Sequence, residues 1–207
     1  MFRKLALLAI VAAIAVGSAM PAVAKKPVKG AYESVSANAF WYSDEPISGG
    51  GTRTTVWYVG VFKTGSDVFS DLYEDVYECD ASGETCTTVS SRFGYSDLAN
   101  DIFTIDAESL TSAHIDAVYD LQAYDENWEP VGDPDPTHIV ADWEGIGTLQ
   151  TGKGSYSFKS DCFSYRERFR DANRNAEAYG DVDGMDLGET YDAWLSAGAS
   201  RFIERSC

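Results

Sequence analysis

The most specific chemical feature of the chain is an acidic segment in which Asp181, Asp183, Asp186 and Glu189 fall within nine residues, interrupted by Gly184 and Gly188. Calcium takes about six to eight oxygens, mostly from carboxylates and backbone carbonyls. Four carboxylates on a glycine-flexed loop therefore predict a loose calcium site formed by Asp181, Asp183, Asp186 and Glu189. The order departs from the EF-hand, because Gly184 stands fourth from Asp181 where that loop places its glycine sixth. The competing reading is a solvated acidic turn, which an acidic chain forms freely. The loop from Asp133 to His138 is a second, weaker calcium candidate.

Two further groups point to ligands. Arg166, Arg168 and Arg170 alternate along the chain, so a strand would project all three from one face, and Arg174 follows closely. Planar guanidinium forks suit carboxylate, phosphate or sulfate groups, which makes these arginines candidates for holding an acidic glycan. Against this stands a cross-strand ladder with the acids of a neighbouring strand. Trp128 lies in Asp125-Glu126-Asn127-Trp128-Glu129-Pro130, flanked by polar residues, and is predicted to be exposed. Amphipathic rings beside carboxylates suit sugar rings, so Trp128 is the leading candidate for contact with a polysaccharide. Trp57 and Trp143 sit in apolar alternation and are read as core.

Catalytic signals are sparse. There is no G-x-S-x-G elbow, no H-E-x-x-H, and no glycine loop leading to a phosphate-binding lysine. His114 and His138 are the only histidines; His114 shares a strand face with Asp116, and no serine can be nominated as their nucleophile. A pair of carboxylates facing a groove would suffice for glycoside hydrolysis, but 33 acidic residues leave that condition undiscriminating. The reading leans away from an enzyme, with a small carboxylate-dependent glycoside hydrolase as the alternative.

The elements that must position these residues follow from the rest of the chain. It has 207 residues, with 33 acidic against 16 basic side chains and a net charge of −17. Residues 1–24 read as a signal peptide: Arg3 and Lys4 precede an uncharged apolar run from Leu5 to Val16, and Ala22-Val23-Ala24 is a small-x-small cleavage site. Residues 25–207 then form a single β domain, expected to be secreted to the periplasm or the extracellular space. This charge excludes a phosphate-tracking nucleic-acid binder. No apolar stretch after the leader is long enough for a membrane helix. A transmembrane barrel of this length would be rich in aromatics, as this chain is, but the high charge and the end Glu204-Arg205-Ser206-Cys207 argue against one, and no membrane insertion is expected.

Four cysteines in an exported chain predict two disulfides, for which three pairings exist. The turn-rich spacer between Cys79 and Cys86 favours a hairpin bridge there, leaving Cys162 with Cys207. Apolar and polar residues alternate over Ala31–Tyr42, Arg53–Lys63, Asp71–Cys79, Thr85–Phe93 and His114–Tyr124, the last being the clearest case. Asp133 to Pro136 is expected to be a stiff loop. Strand-like pieces follow from His138 to Tyr179, and Ala193 to Arg205 fits a strand better than a helix. Short strands at this spacing predict an all-β fold, an antiparallel β-sandwich or small barrel with two disulfides.

Trp143-x-Gly145-x-Gly147, then Ser155-Tyr156-Ser157-Phe158, then Arg174-x-Ala176-x-Ala178-x-Gly180-x-Val182 resembles a loose group of exported bacterial β-sheet proteins of no assigned activity. The resemblance spans Trp143 to Val182. It implies an exported β-protein and supplies no catalytic residue. The sequence thus predicts a non-catalytic binding or structural module of the cell envelope or extracellular space, with a polysaccharide or an envelope protein as its partner.

Overall fold

Alternating β-branched, aromatic and polar residues favour a pleated, half-buried surface, and a computed structural model shows strands throughout the residues it describes, 26–98, 102–125 and 127–206. They are β1 (Val28–Pro46), β2 (Thr52–Thr64), β3 (Asp67–Cys79), β4 (Cys86–Leu98), β5 (Phe103–Ile105), β6 (Ser112–Tyr124), β7 (Pro130–Gly145), β8 (Gln150–Lys159), β9 (Phe163–Val182), β10 (Met185–Asp186) and β11 (Thr190–Ser206). Hydrogen-bonded neighbours run β10-β9-β11-β1-β2-β3-β4-β6-β5, while β7 pairs with both β6 and β9, and β8 pairs with β9. Following the pairs from β1 through β2, β3, β4, β6, β7, β9 and β11 leads back to β1. Among the described residues no helix is long and apolar enough to cross a membrane.

The expected sandwich or small barrel of short strands with two disulfides is therefore corrected. A single eleven-stranded sheet takes its place, and its main strands run for 13 to 20 residues. Strand pairing continues through segments that read as loops in the sequence and are exposed on both faces, such as Pro130–Pro136 of β7, so the strands are longer than their apolar cores suggest. The described residues hold one disulfide, Cys79–Cys86, across the directly paired ends of β3 and β4. The other expected bridge, Cys162–Cys207, involves Cys207, which lies outside the described residues, as does the expected leader; no described cysteine is a free thiol.

The chain divides into two units. The larger comprises Ala31–Gly154 and Arg168–Arg201. Its core is one face of the sheet, with Ala37, Ala39 and Trp41 on β1, Trp57, Val59 and Val61 on β2, and Ile115, Ala117, Tyr119 and Leu121 on β6 all buried. Buried Ser70 is paired: it donates to the Gly60 carbonyl at 2.8 Å and also bonds the Tyr119 hydroxyl. Register is set by tight turns. Thr64 pairs directly with Asp67, leaving the two-residue turn Gly65–Ser66, whose first residue has φ +59 and so calls for glycine. The opposite face carries an aromatic row, Phe40–Tyr58–Tyr73–Phe93, one ring per strand on directly paired residues with centroids 4.5 to 5.5 Å apart. Tyr58 donates its hydroxyl to Asn38 at 2.9 Å, and burial together with the Asp71 charge pushes its phenol up to about 12.

The smaller unit draws its described residues from 26–30, 155–167 and 202–206, and none of them is buried. Ring contacts order it: Tyr156 with Tyr165, Phe158 with Phe163, and Tyr165 stacked on Phe202 at 5.8 Å. Gly30 leaves room for Phe202, since a Cβ there would stand 2.2 Å from the ring.

Candidate functional site

Trp128 projects from the loop between β6 and β7, and hydrogen bonds to one residue shape that loop. The Asp125 carboxylate accepts the backbone N–H groups of Asn127 at 2.8 Å and Glu129 at 3.0 Å, while the Asp125 carbonyl accepts that of Trp128 at 3.0 Å. Trp128 itself has φ 61, a conformation that costs a bulky residue energy and persists only where its surroundings impose it. Despite this fixed backbone its side chain is 71% exposed. Its ring centroid lies 6.0 Å from that of Tyr124. The two rings and Asp125 line a groove of about 330 Å³ with the hydroxyl residues Thr88, Ser90 and Ser91 of β4, which the Ser91–Tyr124 pairing brings alongside. Two rings, a carboxylate and hydroxyl residues thus line one groove.

Asp125 also gives the groove a pH dependence. Hydrogen bonds from the Glu129 and Asn127 N–H groups hold its carboxyl below the usual carboxylate range. A group whose folded-state value is depressed stabilises its loop above the unfolded value and loses that contribution as pH falls through the folded one. The form of this loop, read by tryptophan fluorescence, is expected to be unchanged from neutral pH down to about 4 and to loosen below that. Loosening between pH 7 and 5 would show that another group controls the loop.

The acidic segment lies at the end of β9. Asp181 and Asp186 face each other across the β9–β10 hairpin. Each carboxylate accepts a backbone N–H: Asp181 from Gly184 at 2.7 Å, Asp186 from Gly188 at 2.8 Å, and Asp183 from His138 at 2.9 Å. Asp183 also donates its own N–H to the His138 carbonyl at 2.9 Å. Glu189 lines a groove of about 470 Å³ with residues of β9 and β11. Among the described residues no group of three or more His, Cys, Asp or Glu is arranged to hold a metal ion.

Among the arginines, Arg166 belongs to the smaller unit, and Arg168 and Arg170 to the larger. All three are exposed, and among the described residues none has a carboxylate within 4 Å. The ion pairs between arginine and carboxylate among the described residues are Arg53–Glu78 and Arg92 with Glu74 and Asp135. Arg174 turns to a structural role, donating from Nη1 to the Ser109 carbonyl at 3.0 Å.

The histidines do not pair as their strand neighbours suggested. His114 Nδ1 lies 2.7 Å from Asp142, and His138 Nε2 lies 2.8 Å from Asp116, two crossing pairs on the exposed face of β6 and β7. Among the described residues neither ring bonds a serine or a cysteine.

Sequence reasoning missed the β9–β11 groove, where Tyr179 and Tyr191 are 59% and 75% exposed beside Glu177, Glu189 and Asp192. Tyr179 donates its hydroxyl to Glu177 at 3.4 Å, and the charge of Glu177, followed by burial, raises its phenol. The alternation Ala176, Ala178, Gly180 was a usable signal, since it turns Tyr179 away from the core. Compared with known proteins, the chain matches no family model and no curated protein.

Proposed function

We propose that the protein is an exported, non-catalytic binding module that recognises polysaccharide through the Trp128 groove. The observation that carries this reading is a tryptophan held in a left-handed backbone conformation and still presented to solvent, on a groove that a second ring and hydroxyl residues also line. Rigid aromatic anchors lose little entropy on binding. Strain kept at an exposed residue is the pattern of a functional position.

The test is retention on insoluble polysaccharides and isolated cell wall. Trp128→Ala is expected to weaken retention about 30-fold, equivalent to roughly 2 kcal/mol for an aromatic hot spot, with far-ultraviolet dichroism unchanged. Trp128→Phe should keep part of the binding. Measurements with calcium and with chelator probe the hairpin in which Asp181 and Asp186 face each other. Release of reducing ends from the bound polymer would convert the module into a glycoside hydrolase, and equal retention of Trp128→Ala and wild type would remove the groove from the reading.

A further inference from the structure

Charge is distributed very unevenly. In a chain of net charge −17, the described part of the smaller unit holds Lys26, Lys29, Lys159, Arg166 and Arg205 against only Asp161, Glu167 and Glu204. The ring contacts place Tyr156, Phe158, Phe163, Tyr165 and Phe202 on one face of this unit, and Gly30 adjoins Phe202 on that same face. Successive residues of a strand point to opposite faces. Lys159 on β8, Arg166 on β9, Arg205 on β11 and Lys29 on β1 therefore all project from the other face. These strands are successive neighbours in the order β8-β9-β11-β1. At about 4.8 Å between strands, four cations span roughly 15 Å, one per strand. All four are exposed, and among the described residues none forms an ion pair within 4 Å.

We infer that this cationic face of the smaller unit is a second binding site, for an anionic polysaccharide that lies across the four strands. The inference rests on the polysaccharide reading of the protein and concerns different residues from the Trp128 groove. One cation on each of four neighbouring strands offers repeated positive charge to a linear chain with regularly repeated carboxylate or sulfate groups. The two arginines supply flat forks for those groups. A nucleic acid has a denser charge, at roughly one phosphate per 1.7 Å of duplex, and would meet far more repulsion from the acidic remainder of the chain.

The experiment measures binding of the protein to soluble polygalacturonate, to dextran sulfate, to a neutral glucan and to phosphatidylglycerol vesicles, each at low and at high salt. The inference expects binding to polygalacturonate or dextran sulfate that weakens steeply as salt rises. Which of the two binds identifies the group recognised. The double variant Arg166→Gln/Arg205→Gln should lose at least tenfold in that affinity, and Trp128→Ala should leave it unchanged. Both arginines are exposed, so the fold tolerates these changes. The inference is overturned if neither anionic polymer binds at low salt, if vesicles alone bind, or if the double variant binds like wild type. Failure of the Trp128 groove would instead appear as unaltered retention of Trp128→Ala on neutral polymer.

Discussion

Trp41→Ala is expected to lower the unfolding free energy by about 4 kcal/mol. The side chain is 1% exposed and stands in the inward row of β1 with Ala37 and Ala39. Its small neighbours leave it to fill the volume. Its indole N–H donates to the Ala178 carbonyl on β9 at 3.3 Å. Gly180, two residues further on, admits the ring, because a Cβ there would stand 2.9 Å from it. Truncation to alanine therefore opens a cavity that the paired strands around it cannot close, and it removes one of the two donors to the Ala178 carbonyl, which keeps the Thr190 hydroxyl. Trp41→Phe keeps most of the volume and loses only the donor and one ring, for about 1.5 kcal/mol. Urea denaturation of both variants measures the difference. A loss below 1 kcal/mol for the alanine variant would show that the row is not the centre of the core.

The same residue shows what the sequence made legible. Alternation over Ala31–Tyr42 and His114–Tyr124 identified strands and the correct inward faces, because every second residue is apolar and its neighbours are polar. Pairing was not legible, since β7 must meet both β6 and β9 and no local signal specifies either. Asp133 to Pro136 read as a loop because proline lacks the N–H that a central strand needs. In the structure Pro136 pairs with Asp120 of β6, Pro134 falls at the irregularity between Leu121 and Ala123, and β7 meets β9 only from Ile139 onward, so neither proline lies between two partner strands. The acidic segment was found by composition, but composition does not reveal which acceptors are already occupied. Asp181, Asp183 and Asp186 each bond a backbone N–H, and that depends on the turn around Gly184 and on the approach of His138. Trp128 was legible as exposed from its polar neighbours. Its left-handed backbone was not, because it is fixed by hydrogen bonds to Asp125 in a loop without glycine.

Gly145→Val is expected to destabilise the larger unit by about 3 kcal/mol. Gly145 ends β7, where its N–H donates to the Thr111 carbonyl at 2.9 Å. A Cβ at this position would stand 2.0 Å from the Leu110 carbonyl oxygen and 3.0 Å from Cδ of Arg174. The first of these is backbone and cannot swing aside. Leu110 is fully buried and has φ 50, and the turn that imposes this is tied by Asp106. The Asp106 carboxylate accepts the N–H groups of Glu108 and Ser109 and the hydroxyls of Ser109 and Thr111, and the hydroxyls above all hold its carboxyl well below the usual carboxylate range. A side chain at 145 therefore has to displace a tied turn and pull Leu110 from the core with it. Gly147, two residues on, is the control. It has φ +66 with nothing within 4 Å of a Cβ, so Gly147→Ala carries only a left-handed backbone penalty of about 1 kcal/mol. Thermal and urea unfolding of Gly145→Ala, Gly145→Val and Gly147→Ala separates the two causes. Close approach predicts a loss that grows with side-chain size at 145 and stays small at 147. Equal losses for the two alanine variants would mean that backbone conformation, and not the Leu110 carbonyl, is what reserves position 145 for glycine.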